Sequence, residues 1–153
     1  MASLPNAEAD LERIKSYLRP KVRFAHDAAK RRKLLDKITL RNTAVAERNN
    51  KENPRMVCYV VSGSHVINCS RASEAVGPRA RVGLLIHEMG HVLTRSGDVP
   101  DEEVQADLWV EMQFHHSGYT YRDHIYVSPH TGKQVTAKHV EHVSEEFLKK
   151  LRL

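Results

Sequence analysis

The spacing of apolar residues along this chain predicts a mostly helical protein with a short β-hairpin near its middle. The first apolar pattern predicts a helix over residues 7–18, capped by Asn6 and interrupted by Pro20. Its inward positions are Leu11, Ile14 and Leu18. A second helical pattern runs over residues 22–48. Its candidate inward positions are Ala25, Ala28, Ala29, Leu35, Ile38 and Val45.

The middle of the chain combines a hairpin signal with a strongly apolar helix. The runs Met56–Val61 and Val66–Ser70 are rich in β-branched residues, and they flank a Ser-Gly-Ser turn centred on Gly63. A Gly-Pro pair at Gly77 then predicts a helix entrance, because proline is favoured in the first helical turn. The helix is expected over Arg79–Thr94, with Gly97 as its stop signal.

Two further helices are expected towards the end of the chain. One begins after Asp98, a candidate cap, and runs to about His116. The other is an amphipathic closing helix over Ala137–Leu151. Between them, residues 125–135 predict a small hairpin or loop. The fold class is therefore α+β and mostly helical, with a β-hairpin packed beside the helix at 79–94.

Length and composition are those of one compact domain. The chain has 153 residues, 41% hydrophobic and 28% charged, as in soluble globular proteins. We expect a basic helical segment, residues 1–55, packed on a core formed by residues 56–153. No apolar run approaches the roughly 18 residues of a membrane span, and the first ten residues lack the features of a secretory signal. A cytoplasmic location without membrane partners is the expectation.

The positive charge is concentrated in one part of the chain. Between Arg19 and Arg55 there are 12 Lys and Arg against 4 Asp and Glu, whereas the rest of the chain is net negative. Such a segment either forms a solvated helix face or neutralises the phosphates of a nucleic acid. Because no aromatic residues alternate with the charges, the solvated face is favoured and nucleic-acid binding is the alternative.

The two cysteines, Cys58 and Cys69, lie on the two arms of the expected hairpin. They do not form a Cys-x-x-Cys motif, so a cysteine zinc site is not expected. Pairing of the arms would bring the two thiols together. In a reducing cytosol, two free and partly buried thiols are the favoured state.

The apolar helix carries the chemistry. It contains His87-Glu88-x-x-His91, in which the histidines are four residues apart and therefore share one helix face. Both imidazoles can then reach one metal ion, and Glu88 can act on a water molecule beside it. A catalytic zinc takes three protein ligands and leaves one position open, so a third ligand is required.

The search for that ligand leads to a family resemblance. A histidine six residues after His91 would mark a metzincin, but that position is Gly97. Downstream, Glu103-x-x-Ala-Asp107 follows on the next expected helix. The two motifs together resemble those of gluzincin metallopeptidases, and the short spacing is similar to that of minimal phage and bacterial regulatory peptidases. The resemblance covers about residues 56–115.

The resemblance implies a minimal zincin-like fold, one Zn²⁺ ion and a set of residue roles. Glu103 would be the third zinc ligand, and Asp107 would orient a ligand imidazole from the second coordination sphere. Glu88 would be the general base for a zinc-activated water. A further side chain would stabilise the oxyanion. Its candidates by type are Tyr119, Tyr121, His124, Tyr126 and His130, with Tyr121, His124 and Tyr126 carried forward.

The sequence thus predicts a zinc metalloendopeptidase that hydrolyses peptide bonds of an intracellular protein. By resemblance, one arm of the hairpin would hold the peptide as an added strand. The alternative is a non-catalytic regulatory or nucleic-acid-associated protein of zincin fold, with a structural zinc.

Overall fold

The computed structural model describes residues 2–22, 28–94, 120–127 and 131–152. Over these residues the fold is mixed α+β and mostly helical, as the sequence predicts. The elements in chain order are α1 (Pro5–Val22), α2 (Ala28–Lys37), β1 (Thr39–Asn42), α3 (Ala44–Glu52), β2 (Cys58–Tyr59), β3 (Val66–Cys69), α4 (Ala72–Ala75), α5 (Pro78–Thr94), β4 (Thr120–Val127), β5 (Gln134–His142) and α6 (Glu145–Arg152).

A three-stranded sheet lies beside the central helix α5. Its strand order is β1-β3-β2, with β1 parallel to β3 and β2 antiparallel to β3. The predicted hairpin is confirmed, although its first arm forms only the two-residue strand β2. Gly63 occupies the turn with φ +81°, a left-handed conformation that glycine adopts without steric cost. Both β2 and β3 pack against α5.

Helix α5 is the centre of the hydrophobic core. It packs against α1, α2, β2, β3, β5 and α6. Its side chains are buried from Arg81 to Leu93 except for the half-buried Leu84. A helix that is apolar on all sides is stable only when other elements surround it, and this arrangement places whatever polar groups α5 carries inside the protein.

Helix α1 is longer than predicted at both ends. Pro5 stands at its first position, where a missing N–H costs nothing. The predicted cap, Asn6, lies inside the helix: its N–H and that of Ala7 donate to the carboxylate of Glu74, at 3.0 and 2.8 Å. Pro20 does not end α1, which continues to Val22. Because Pro20 is only two residues from the end of α1, the absence of its backbone hydrogen bond costs the helix little.

The long helix predicted over residues 22–48 is wrong. The segment forms α2, then strand β1, then α3, which is capped by Thr43 through a 3.1 Å bond from the Ala46 N–H. Leu35 and Ile38 are buried as predicted, but Ala29 and Val45 are exposed, and Ala25 lies outside the described residues. Pairing of β1 with β3, distant in sequence, overrides the local helical pattern.

The closing helix is also shorter than predicted. Residues 137–142 belong to β5, which pairs antiparallel with β4, and only Glu145–Arg152 is helical. Ser144 sets this boundary, since its hydroxyl accepts a 3.1 Å hydrogen bond from the Phe147 N–H in the manner of an N-cap. The buried residues Phe147, Leu148 and Leu151 then form the inner face of α6.

The two cysteines face each other in the sheet and form a disulfide, with Cα atoms 4.1 Å apart. The predicted proximity is confirmed, but the favoured state of two free thiols is wrong. Cys58 and Cys69 are directly opposite in the antiparallel register, which brings their Cβ atoms within bonding reach. Among the helices that the structure describes, none has the length and apolar character of a membrane span.

Candidate metal centre

His87 and His91 lie one turn apart on α5, as their spacing predicts. Their exposed fractions are 2% and 0%, so both imidazoles are inside the protein. The two Nε2 atoms are 3.1 Å apart, and the rings meet edge to face with centroids 4.7 Å apart. At this distance one nitrogen can donate a hydrogen bond to the other, and the tautomers decide which one donates.

The distance between the two nitrogens fits a shared metal ion. For Zn–N bonds of about 2.0–2.1 Å at a tetrahedral angle, the two ligand nitrogens lie about 3.3–3.4 Å apart. The observed 3.1 Å is about 0.2–0.3 Å shorter, so two Zn–N bonds of this length would meet at an angle of about 98°, somewhat below the tetrahedral value. Neutral imidazole is also a donor that zinc prefers. These two side chains therefore fit the group that the sequence implies.

Glu88 adds a carboxylate to the same buried region. Its exposed fraction is 3%, and it stands directly after His87 on the helix. A buried carboxylate is costly unless polar groups or a cation compensate it. Helix α5 therefore buries three polar side chains within five residues, His87, Glu88 and His91.

A second buried polar pair joins the first half of α5 to α1: Arg81 of α5 and Asp10 of α1. The Arg81 Nε donates to Asp10 Oδ2 at 2.7 Å, and its Nη1 donates to the carbonyl oxygens of Ser73 and Val76 at 3.3 and 3.1 Å. Asp10 also accepts from Arg13 at 3.2 Å. This network ties α5 to α1 and to the segment around α4, and so fixes the position of the helix that carries the histidines.

The start of α5 is fastened to the far end of the chain as well. The Arg79 side chain donates to the carbonyl of Val143 at 2.8 Å, and the Val143 N–H donates to the carbonyl of Arg79 at 3.2 Å. At the other end of the helix, the hydroxyl of Thr94 donates to the carbonyl of Gly90 at 2.7 Å. The first turn of α5 is thus held by the segment around Val143.

The remaining predicted site residues are not tested by this geometry. Glu103 and Asp107 lie outside the described residues. The candidate oxyanion donors Tyr121, His124 and Tyr126 belong to β4, but their side chains are not described. Within residues 2–22, 28–94, 120–127 and 131–152, no group of three or more His, Cys, Asp or Glu side chains is arranged around one point. The third ligand therefore stays a prediction from sequence.

The sheet narrows the prediction that a hairpin arm holds a peptide. Strand β3 is paired on both sides, by β1 and by β2, so its backbone cannot accept another strand. Strand β2 stands at an edge among the described strands, and it packs against α5. Of the two arms, only the first is compatible with strand addition.

Arg81 and Asp10 are the residues that sequence reasoning missed. A signal was present: Arg81 directly precedes the apolar run that begins at Val82, and Asp10 precedes the inward-facing Leu11. A charge in such a position requires a buried partner. The pattern does not say which residue supplies that partner.

Comparisons of this chain with protein-family models, with curated proteins and with solved structures found no match. The resemblance to gluzincins therefore depends on the two motifs alone.

Proposed function

We propose that this protein is a zinc-dependent metallopeptidase of gluzincin type. The observation that carries the proposal is the convergence of the His87 and His91 Nε2 atoms, 3.1 Å apart on the buried helix α5, where the next residue after His87, Glu88, is buried as well. Buried imidazoles at this separation match two ligands of one tetrahedral ion. The proposed third ligand is Glu103, and Asp107 would fix the tautomer of a ligand histidine.

Each residue would have one task in peptide hydrolysis. A bound zinc ion supplies Lewis acidity for the water and the scissile carbonyl. Glu88 takes a proton from the attacking water as its oxygen bonds to the carbonyl carbon, and then gives the proton to the leaving amine as the C–N bond breaks. An extended substrate would lie along the edge strand β2, where backbone hydrogen bonds do not depend on the side chains of the substrate.

Metal content is the first test of the site. We expect about one zinc per chain in protein purified without added metal, and a sharp loss of zinc in His91→Ala and in Glu103→Ala. His65→Ala is the matched control, because His65 is exposed and should not change the zinc content. Full zinc in Glu103→Ala would place the third ligand elsewhere. A wild type that takes up no zinc even when it is offered would contradict the proposal.

Glu88→Gln separates catalysis from metal binding. We expect this variant to retain zinc and to lose cleavage of a degenerate peptide library by about 10²–10⁴-fold, the usual contribution of a general base. New peptide termini are counted by mass spectrometry. Glu12→Gln is the control, since Glu12 is exposed on α1.

Undiminished zinc-dependent cleavage by Glu88→Gln would exclude Glu88 as the base. Zinc binding without cleavage of library peptides or of denatured protein by the wild type would favour the alternative, a regulatory protein with a structural zinc.

A further inference from the structure

Helix α2 carries a line of three exposed lysines, which we call the lysine stripe: Lys30, Lys33 and Lys37. Their spacing of three and four residues places them along one side of the helix. At 1.5 Å per residue, the stripe extends over about 10 Å. Arg31 and Arg32 stand in the same turn as its first lysine, Arg31 half-buried and Arg32 exposed.

The orientation of the stripe is fixed by the opposite side of α2. Leu35 is fully buried and Leu34 is half-buried against the core. The helix packs on both α1 and α5. The lysines are therefore held in a set direction, away from the core.

The cations that hold α2 in place come from α1. Lys15 donates to the carbonyl oxygens of Asp36 and Ile38 at 3.3 and 3.1 Å, at the end of α2. Arg19 forms an ion pair with Asp36, the sole acidic residue of α2. Both contacts satisfy groups of α2 that would otherwise attract its own lysines.

Among the described residues, no anion compensates the lysine stripe. In the part of the chain that the structure describes, its three ammonium groups make no ion pair or hydrogen bond, and the same holds for Arg31 and Arg32. Five positive charges on a helix of ten residues repel one another. An anionic partner would relieve that repulsion.

The chemistry of the stripe selects the class of partner. Lysine binds phosphate as a point charge, and phosphates recur at a regular interval along a nucleic-acid strand. The exposed side of α2 offers no aromatic ring for base stacking, so contacts to the backbone are what it can supply. Its leucines face inward, which removes the apolar face that a membrane-surface helix requires.

We propose that the lysine stripe binds the phosphate backbone of a nucleic acid without reading its sequence. The site is separate from the histidine pair, and binding there requires neither zinc nor hydrolysis. The sequence alone favoured a solvated surface for this segment. We favour a binding surface because Asp36, the acidic residue of α2, pairs with Arg19 of α1 and not with a lysine of α2.

The test is binding of a labelled mixed-sequence DNA duplex to the full chain, followed by fluorescence anisotropy. Three neutralised phosphates predict a slope of about −2.7 for log K against log salt, or about 40-fold weaker binding at 200 than at 50 mM salt. In Lys30→Gln/Lys33→Gln/Lys37→Gln we expect at least about tenfold weaker binding at the lower salt concentration and a slope near zero. Glutamine keeps the helix propensity of lysine, and circular dichroism checks the fold.

A matched control removes the same charge from another helix. Lys149→Gln/Lys150→Gln/Arg152→Gln changes three exposed basic residues of α6, and we expect its affinity for the duplex to stay within about threefold of wild type. Equal weakening of both variants would show attraction by net charge only and would overturn the proposal. The proposal also fails if wild type does not bind at low salt, or if polyglutamate displaces the duplex at equal charge concentration, which would indicate an acidic protein partner.

Discussion

Two buried polar pairs lie six residues apart along α5, and they differ in kind. Arg81 and Asp10 have opposite charges, and their side chains also bond Arg13 and two backbone carbonyls. His87 and His91 are identical groups on one helix, with their Nε2 atoms 3.1 Å apart. The first pair joins different elements of the fold. The second joins two positions of one helix.

The difference shows how one helix is both structural and chemical. Fully bonded charges near its start hold α5 against α1, and this fixes the direction in which the later imidazoles point. A metal site needs ligands held to within a fraction of an ångström. The ion pair contributes to that rigidity from the first half of α5, six residues before His87.

Asp10→Ala should have the largest effect on stability. It leaves the Arg81 guanidinium buried without its carboxylate, and breaking such a pair costs about 3–5 kcal/mol. Urea unfolding monitored by circular dichroism measures the loss. Asp36→Ala is the control: this exposed carboxylate pairs with Arg19, and removal should cost less than about 1 kcal/mol. Equal losses in the two variants would remove the structural role of the Arg81–Asp10 pair.

The second largest effect should be the stabilisation by zinc, which depends on the histidine pair and not on the Arg81–Asp10 pair. Free zinc at about 100 times its dissociation constant should stabilise the wild type by about 2.7 kcal/mol, because only the folded chain presents the site. Asp10→Ala should gain a similar increment over its own metal-free value. His91→Ala should gain almost none. An equal gain in His91→Ala would show that zinc binds elsewhere.

The smallest effect is expected when both imidazoles are replaced in the absence of metal. His87→Leu/His91→Leu exchanges two polar groups for apolar side chains of similar volume, which is close to neutral for a buried pair. With a chelator present, we expect the free energy of unfolding to change by no more than about 1 kcal/mol. A loss of unfolding free energy as large as that of Asp10→Ala would show that the histidine pair stabilises the fold, and would contradict the distinction drawn between the two pairs.

The sequence was most informative where structure is local. Helix α5 was predicted to within one residue, because Gly77 and Pro78 mark its start and a continuous apolar pattern follows. The shared face of His87 and His91 follows from helical geometry alone. Their 3.1 Å separation does not, since it depends on side-chain rotamers set by the surrounding core.

The errors lie where distant segments meet. Strand β1 was taken for helix because Leu35, Ile38 and Val45 have helical spacing, while its partner β3 is far along the chain. In β5, Val140 was assigned to the helical pattern that continues through Val143 and Phe147, and the Ser144 cap was overlooked. Arg81 and Asp10 could be suspected singly, but not paired, since they are 71 residues apart.

The parallel pairing of β1 with β3 has a consequence for the order of folding. The contact between β2 and β3 closes a short loop, and its cysteines are 11 residues apart. The contact between Asn42 and Cys69 spans 27 residues, and the chain between them includes α3 and β2. Because loop closure costs more entropy as the loop grows, we expect the hairpin to form early and β1 to dock late. Substitutions in β1 should then accelerate unfolding more than they slow refolding.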